Sequence, residues 1–125
     1  MIKQILSNEV EAYIKDNPKS VLLDVRTEEE WGGDGKPDGE KFSLKTYFLT
    51  IQLADGSFNQ SFIEDFKKLG IEKNQEILTM CMGGVRSQAA AELLTKENYK
   101  CINVSDGFLG NRQSLGWKKS NLPST

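Results

Sequence analysis

Val21-Leu22-Leu23 is apolar at three successive positions, and Ile77-Leu78-Thr79-Met80 nearly so. A strand with one face in water alternates apolar and polar residues; a continuous run marks a strand covered on both faces. Three further segments read as strands: Lys3 to Leu6 at an edge, Thr46 to Ile51 with its high β-propensity, and Cys101-Ile102-Asn103-Val104. The segments between them are helical in pattern. Ser7 or Asn8 caps a first helix that runs to about Asp16, turns Val10, Tyr13 and Ile14 inward, and stops at Asn17-Pro18. Thr27 to Glu30 and Ser61 to Glu64 each fit a capping box, the first opening a helix that carries Trp31, the second preceding Phe62, Phe66 and Leu69 at helical spacing. An alanine-rich helix then ends near Asn98, with Ala89, Ala90 and Ala91 as a small face for close packing on the sheet. This order predicts an α/β fold, an open, mostly parallel five-stranded sheet with helices on both faces. Gly32 to Lys45, rich in Gly, Asp and Lys, reads as an exposed loop.

A chain of 125 residues predicts a single domain spanning 1–125, large enough for a core without staples. A net charge of -2 provides no basic field for nucleic acid. The two cysteines form no C-x-x-C pair, so neither a disulfide scaffold nor a zinc site is expected. The absence of histidine excludes a Cys–His dyad. Asp34, Asp38 and Glu40 lack the spacing of a calcium loop, so no metal is expected. The first residues lack the h-region of a signal peptide, and no run approaches the ~18 apolar residues of a membrane span. The expectation is a cytoplasmic, reduced protein without a membrane partner.

Chemistry concentrates in Cys81-Met82-Gly83-Gly84-Val85-Arg86, between the Ile77–Met80 strand and the helix that begins around Ser87. A cysteine at that junction faces backbone N–H groups and the positive end of a helix dipole, both of which favour an anion. The thiolate is the nucleophilic form, so the placement favours reaction near neutral pH. The two glycines let the backbone curl around whatever the sulfur carries. In an open parallel sheet, ligands bind beyond the carboxyl ends of the strands, which is where Cys81 belongs.

Leu22-Leu23-Asp24-Val25-Arg26-Thr27-Glu28-Glu29-Glu30-Trp31 together with Cys81-Met82-Gly83-Gly84-Val85-Arg86-Ser87 resembles the single-domain rhodanese-like sulfurtransferases. Asn98-Tyr99, Ile102-Asn103-Val104, Asp106-Gly107-Phe108 and Gly116-Trp117 extend the resemblance across nearly the whole chain. The resemblance implies sulfur transfer through a Cys81 persulfide without a cofactor. The donor would be thiosulfate or another sulfane-sulfur compound, small or protein-borne, and the acceptor a thiol or a cyanide-like nucleophile. Residues Met82, Gly83, Gly84, Val85, Arg86 and Ser87 would form the persulfide-binding loop, supported by Asp24 and Arg26. The related phosphatases carry a loop one residue longer, so loop length favours sulfur over phosphate. Two departures stand out. Trp31 to Lys45 replaces the Gly-His-Ile-Pro-Gly-Ala type of segment found in many relatives. Arg86 is the loop's one fixed charge, which predicts weak use of thiosulfate and favours a protein persulfide or another low-charge donor.

Blander roles compete with these. Cys81 is alternatively a buried structural thiol, and the whole chain a rhodanese-type binding module without catalysis, or a phosphatase or arsenate reductase of related architecture. Cys101 reads as inert core. Asp24 and Arg26 read chiefly as a structural pair, Ser87 first as a helix N-cap, Arg86 as both brace and anion attractor. Trp31 and Trp117 read as packing residues, and Phe108 as core or pocket wall.

Overall fold

A computed structural model describes residues 1–125. Strands β1 (Lys3–Ile5), β2 (Val21–Asp24), β3 (Lys45–Phe48), β4 (Glu76–Met80) and β5 (Lys100–Val104) form one sheet in the order β1-β5-β4-β2-β3. Every pairing is parallel. The helices are α1 (Val10–Asp16), α2 (Glu28–Asp34), α3 (Phe62–Lys68), α4 (Val85–Lys96) and α5 (Gly116–Lys119). Side chains alternate across each strand, so the two apolar runs, the second interrupted only by Thr79, feed two cores. Val21, Leu23 and Ile77 join Phe62 and Phe66 of α3 and Ala90 and Leu94 of α4. Leu22, Leu78 and Met80 join Val10 of α1 and Trp117 of α5 on the opposite face. Helices on both sides explain why neither run alternates.

The chain leaves β2 toward β3 in one direction and leaves β4 toward β5 in the other. Adjacent strands whose connections diverge open a crevice at their carboxyl ends. Asp24, the last residue of β2, pairs with Met80, the last of β4. Cys81 follows at once.

Several local expectations are corrected. Gly32 to Lys45 is not an exposed loop: α2 runs on to Asp34, a 3-10 turn spans Gly39–Phe42, and Pro37, Gly39 and Leu44 are buried. The cause is tertiary. Pro37 bridges Ser124, Asp38 N–H donates to Pro123 O at 2.8 Å, and Thr125 N–H donates to Lys36 O at 2.9 Å. The third strand starts earlier and ends sooner than expected, at Lys45–Phe48. Ser7 does not cap α1, because its hydroxyl and amide both reach the buried Asp106 carboxylate at 2.9 Å. Ser61 precedes α3 without a side-chain cap bond. Ala89 faces outward, leaving Ala90 and Ala91 to pack on the sheet.

Candidate active site

The loop from Cys81 to Gly84 is held from below by the segment after β5. Phe108 N–H donates to Cys81 O at 2.8 Å, and Leu109 N–H to Met82 O at 3.1 Å. That close approach requires glycine at 107, where an added Cβ would lie 2.4 Å from Met82 O. Gly84 is required for the same reason: its φ is +105°, and a Cβ there would lie 2.2 Å from Ser105 O. Gly83 is under no such constraint, its nearest contact being an ordinary 3.4 Å.

Gly84 is the N-cap of the twelve-residue α4, which moves the helix start two residues ahead of Ser87. Its amide donates to Cys81 Sγ at 3.1 Å. Ser87 is therefore not the cap but lies one turn inside, buried, with Oγ 3.2 Å from Sγ. The same hydroxyl lies 2.6 Å from Asn103 Oδ1, and its single proton serves one acceptor at a time. Asn103 is buried mid-strand and donates through Nδ2 to Gly84 O at 3.1 Å and to Gln4 Oε1 at 2.8 Å. Among the loop amides, only Gly84 N–H bonds the sulfur, so the expected ring of donors is one amide and one hydroxyl.

The sulfur is almost inaccessible to solvent. Cys81 is 1% exposed and belongs to the core cluster that includes Val25, Phe62 and Ala90. The loop folds over its own first residue: Met82 and Gly83 are half-buried, Gly84 buried, and Val85 alone stands out at 82%.

Arg86 does not offer a free cation. Its Nη1 and Nη2 donate to Glu30 Oε1 and Oε2 at 2.7 and 2.8 Å. Glu30 is anchored in turn by Thr27, whose amide and hydroxyl donate to Oε1 at 3.0 Å while the Glu30 amide donates to Thr27 Oγ1 at 3.2 Å. The capping box is thus formed as expected, and its glutamate has a second role. The Arg86 hydrogen bonds, opposed in part by burial, hold the Glu30 carboxyl down at about 2. Glu30 raises the Arg86 value in return, with smaller contributions from the charges of Cys81 and Asp24.

Asp24 and Arg26 form a fully buried pair. Arg26 Nε donates to both carboxylate oxygens at 3.1 Å, and Nη2 donates to Oδ2 at 2.8 Å and to Gly35 O at 3.0 Å. The guanidinium lies 4.2 Å from the Phe108 ring centroid, which makes Phe108 core and ties β2, α2 and the post-β5 segment together. Trp117 is fully buried and donates through Nε1 to Pro123 O, while Trp31 packs edge-on against Phe48. Cys101 lies apart on β5, paired with Ile77, and burial pushes its thiol up to about 11.

Two clefts meet at Arg86. One, of about 480 Å³, is a groove between α4 and the segment after β3, lined by Ile51, Phe58, Val85, Ala89 and Leu93 among others. The other is polar and includes Thr27, Glu29, Glu30 and Leu53 in its lining.

The family model described as "Rhodanese-like domain" matches residues 7–113. The chain belongs to the rhodanese-like domain family. The uncharacterized protein RP600 of Rickettsia prowazekii is 38% identical over 125 residues, covering 98% of this chain and 97% of that protein. Among solved structures, Rv0390 of M. tuberculosis superposes with a TM-score of 0.85 at 29% identity, covering 98% of this chain and 96% of its own. A rhodanese-like domain protein from Staphylococcus aureus superposes with a TM-score of 0.69 at 20% identity and 99% coverage of both chains, a likeness of fold alone. The rhodanese-like architecture expected from the sequence is therefore present, with its sheet entirely parallel. No helix is long and apolar enough to cross a membrane.

Two residues that contact the loop are not apparent as such from the sequence. Asn103 carried a signal, as an amide side chain in an apolar strand must find buried partners. The sequence marks Glu30 only as part of a capping box; its bond to Arg86 spans 56 positions and has no local trace.

Proposed function

We propose that this rhodanese-like protein is a sulfurtransferase that carries sulfur as a persulfide on Cys81. The Cys81 thiolate attacks the sulfane sulfur of a donor, the donor's S–S bond breaks, and the donor fragment leaves with the electron pair. An acceptor nucleophile then attacks the transferred sulfur and restores the Cys81 thiolate. The observation that carries this reading is the convergence of Gly84 N–H and Ser87 Oγ on Sγ at 3.1 and 3.2 Å, at the N-terminus of α4. The Gly84 amide is fixed in advance on the sulfur and stabilises its anion without reorganisation, while the Ser87 hydroxyl reaches it by turning its proton from Asn103 Oδ1. The loop from Met82 to Ser87 binds the persulfide, and Asp24 and Arg26 hold its surroundings. Two free cysteines fit a reducing compartment such as the cytoplasm.

One observation favours a second reading, a binding module without catalysis: Cys81 is only 1% exposed. Under the transferase reading, the Met82–Val85 segment opens to admit a donor. Incubation with a sulfane-sulfur donor, followed by mass analysis, separates the two. The transferase acquires about 32 Da on Cys81 and loses it to an added thiol, whereas Cys81→Ser acquires nothing and keeps its fold. No adduct with any donor would leave the binding module.

A further inference from the structure

We infer that Asn103 is a positioning residue for the sulfur: by holding the one proton of Ser87 it disfavours a charge on Cys81 Sγ, and so favours the loaded persulfide over the empty thiolate. The inference rests on the reading of Cys81 as a persulfide carrier and adds a control on the charge of that carrier. The orientation of the Asn103 amide is decided by Gly84 O, a backbone carbonyl that can only accept. Nδ2 therefore faces it at 3.1 Å, with Gln4 Oε1 as a second acceptor at 2.8 Å. Oδ1 is thereby turned to Ser87 Oγ at 2.6 Å. Two oxygens that close need a proton between them, and only the hydroxyl carries one. The sulfur, 3.2 Å away, then faces the lone pairs of Oγ. That arrangement suits a thiol, whose S–H donates to Oγ, and does not suit a thiolate.

Ionisation reverses the pattern. The S–H proton leaves for solvent, the Ser87 proton turns to Sγ, and Oγ and Asn103 Oδ1 are left facing one another with no proton between them. Thr79 Oγ1, 3.5 Å from Oδ1, is too distant to replace the lost donor. In the loaded protein the charge lies on the outer sulfur. Sγ is then a neutral link, and Ser87 keeps its bond to Asn103. The charged groups of the elements around Cys81 are paired elsewhere: Arg86 of α4 with Glu30 of α2, and Arg26 with Asp24 at the end of β2. Asp106, after β5, is bonded to Ser7 and to the Gly116 amide, and α3 buries only Phe62 and Phe66. A change at position 103 leaves these groups as they are. Gly84 O also accepts from the Gln88 amide at 3.2 Å, and Gln4 is exposed, so Asn103→Leu deprives neither of a partner.

The test follows the ultraviolet absorbance of the thiolate against pH in the wild-type protein, with Cys81→Ser as the blank, together with the NMR resonance of the Asn103 side-chain carbonyl carbon. That resonance is expected to move with the same midpoint as the absorbance, because the carbonyl loses its hydrogen bond as the sulfur ionises. In Ser87→Ala it is expected to move far less. Asn103→Leu is expected to shift the absorbance profile by about one unit toward lower pH, a tenfold gain in thiolate below the midpoint. It is also expected to pass its sulfur to an added thiol about tenfold faster: the acceptor attacks the outer sulfur, the S–S bond breaks, and Sγ leaves as the thiolate that Ser87 is now free to meet. In a Ser87→Ala background, Asn103→Leu is expected to change neither. A wild type that loads sulfur while its Asn103 carbonyl resonance ignores the titration would overturn the inference alone, even if Asn103→Leu failed to fold. So would an Asn103→Leu variant that folds and keeps the wild-type pH profile. Failure of the wild type to take up sulfur from any donor would overturn the carrier reading and the inference with it.

Discussion

Replacing Arg26 with methionine tests whether the Asp24–Arg26 pair is structural. The variant removes three side-chain hydrogen bonds to Asp24, one to Gly35 O, and the contact with Phe108. Asp24 retains only the Arg26 amide, at 3.0 Å, and stays fully buried. Stranding one member of a buried ion pair costs about 3–5 kcal/mol. A domain of this size has a total stability of roughly 6–19 kcal/mol. At about 4 °C per kcal/mol, the melting temperature should fall by roughly 12–20 °C. Asp24→Leu combined with Arg26→Met strands neither charge and should recover most of the loss, giving a coupling of about 2–3 kcal/mol in urea unfolding. Neither side chain touches Sγ, so the folded fraction of Arg26→Met should still load a persulfide. A loss below about 1 kcal/mol would refute the reasoning, as would a double variant no better than the single one.

Three further outcomes follow from the same geometry. Ser87→Ala removes a donor worth about 1.5–3 kcal/mol to an anionic sulfur, so persulfide loading by the folded protein should slow by tenfold or more, and leaving the buried Asn103 Oδ1 without its 2.6 Å partner should cost about 1–3 kcal/mol of stability; an unchanged rate would remove Ser87 from the site. The Glu30 carboxyl is lowered from a usual 4.5 to about 2, so its stabilisation is complete above about pH 4.5 and lost as pH falls toward 2. For this partly exposed pair the effect is about 1 kcal/mol, and melting curves of wild type and Glu30→Gln should converge across that window; a gap persisting at pH 2 would contradict it. Gly84→Ala forces a Cβ against Ser105 O at a φ of +105° and should destabilise by about 2–4 kcal/mol. Gly83→Ala meets only a 3.4 Å contact and should be tolerated, which equal losses in urea unfolding would disprove.

Local pattern was sufficient for the layers. The apolar run of β2 and the nearly continuous one of β4 required helices on both faces of a parallel sheet, and a cysteine between β4 and α4 stands where strand ends meet a helix N-terminus, whatever the strand order. The Thr27–Glu30 capping box formed as read, because all its atoms lie within one turn. The grip of Glu30 on Arg86, by contrast, depends on β2 and β4 lying side by side, which follows from a strand order that no short segment encodes. The same holds for Ser87, drawn from a capping role into contact with Sγ and with Asn103 on the neighbouring β5. Periodicity and turn chemistry act over a few residues and are written in the chain. The charge beside the sulfur, its burial, and the packing of residues 32–45 against 123–125 arise only when distant segments close on one another, and so belong to the tertiary structure.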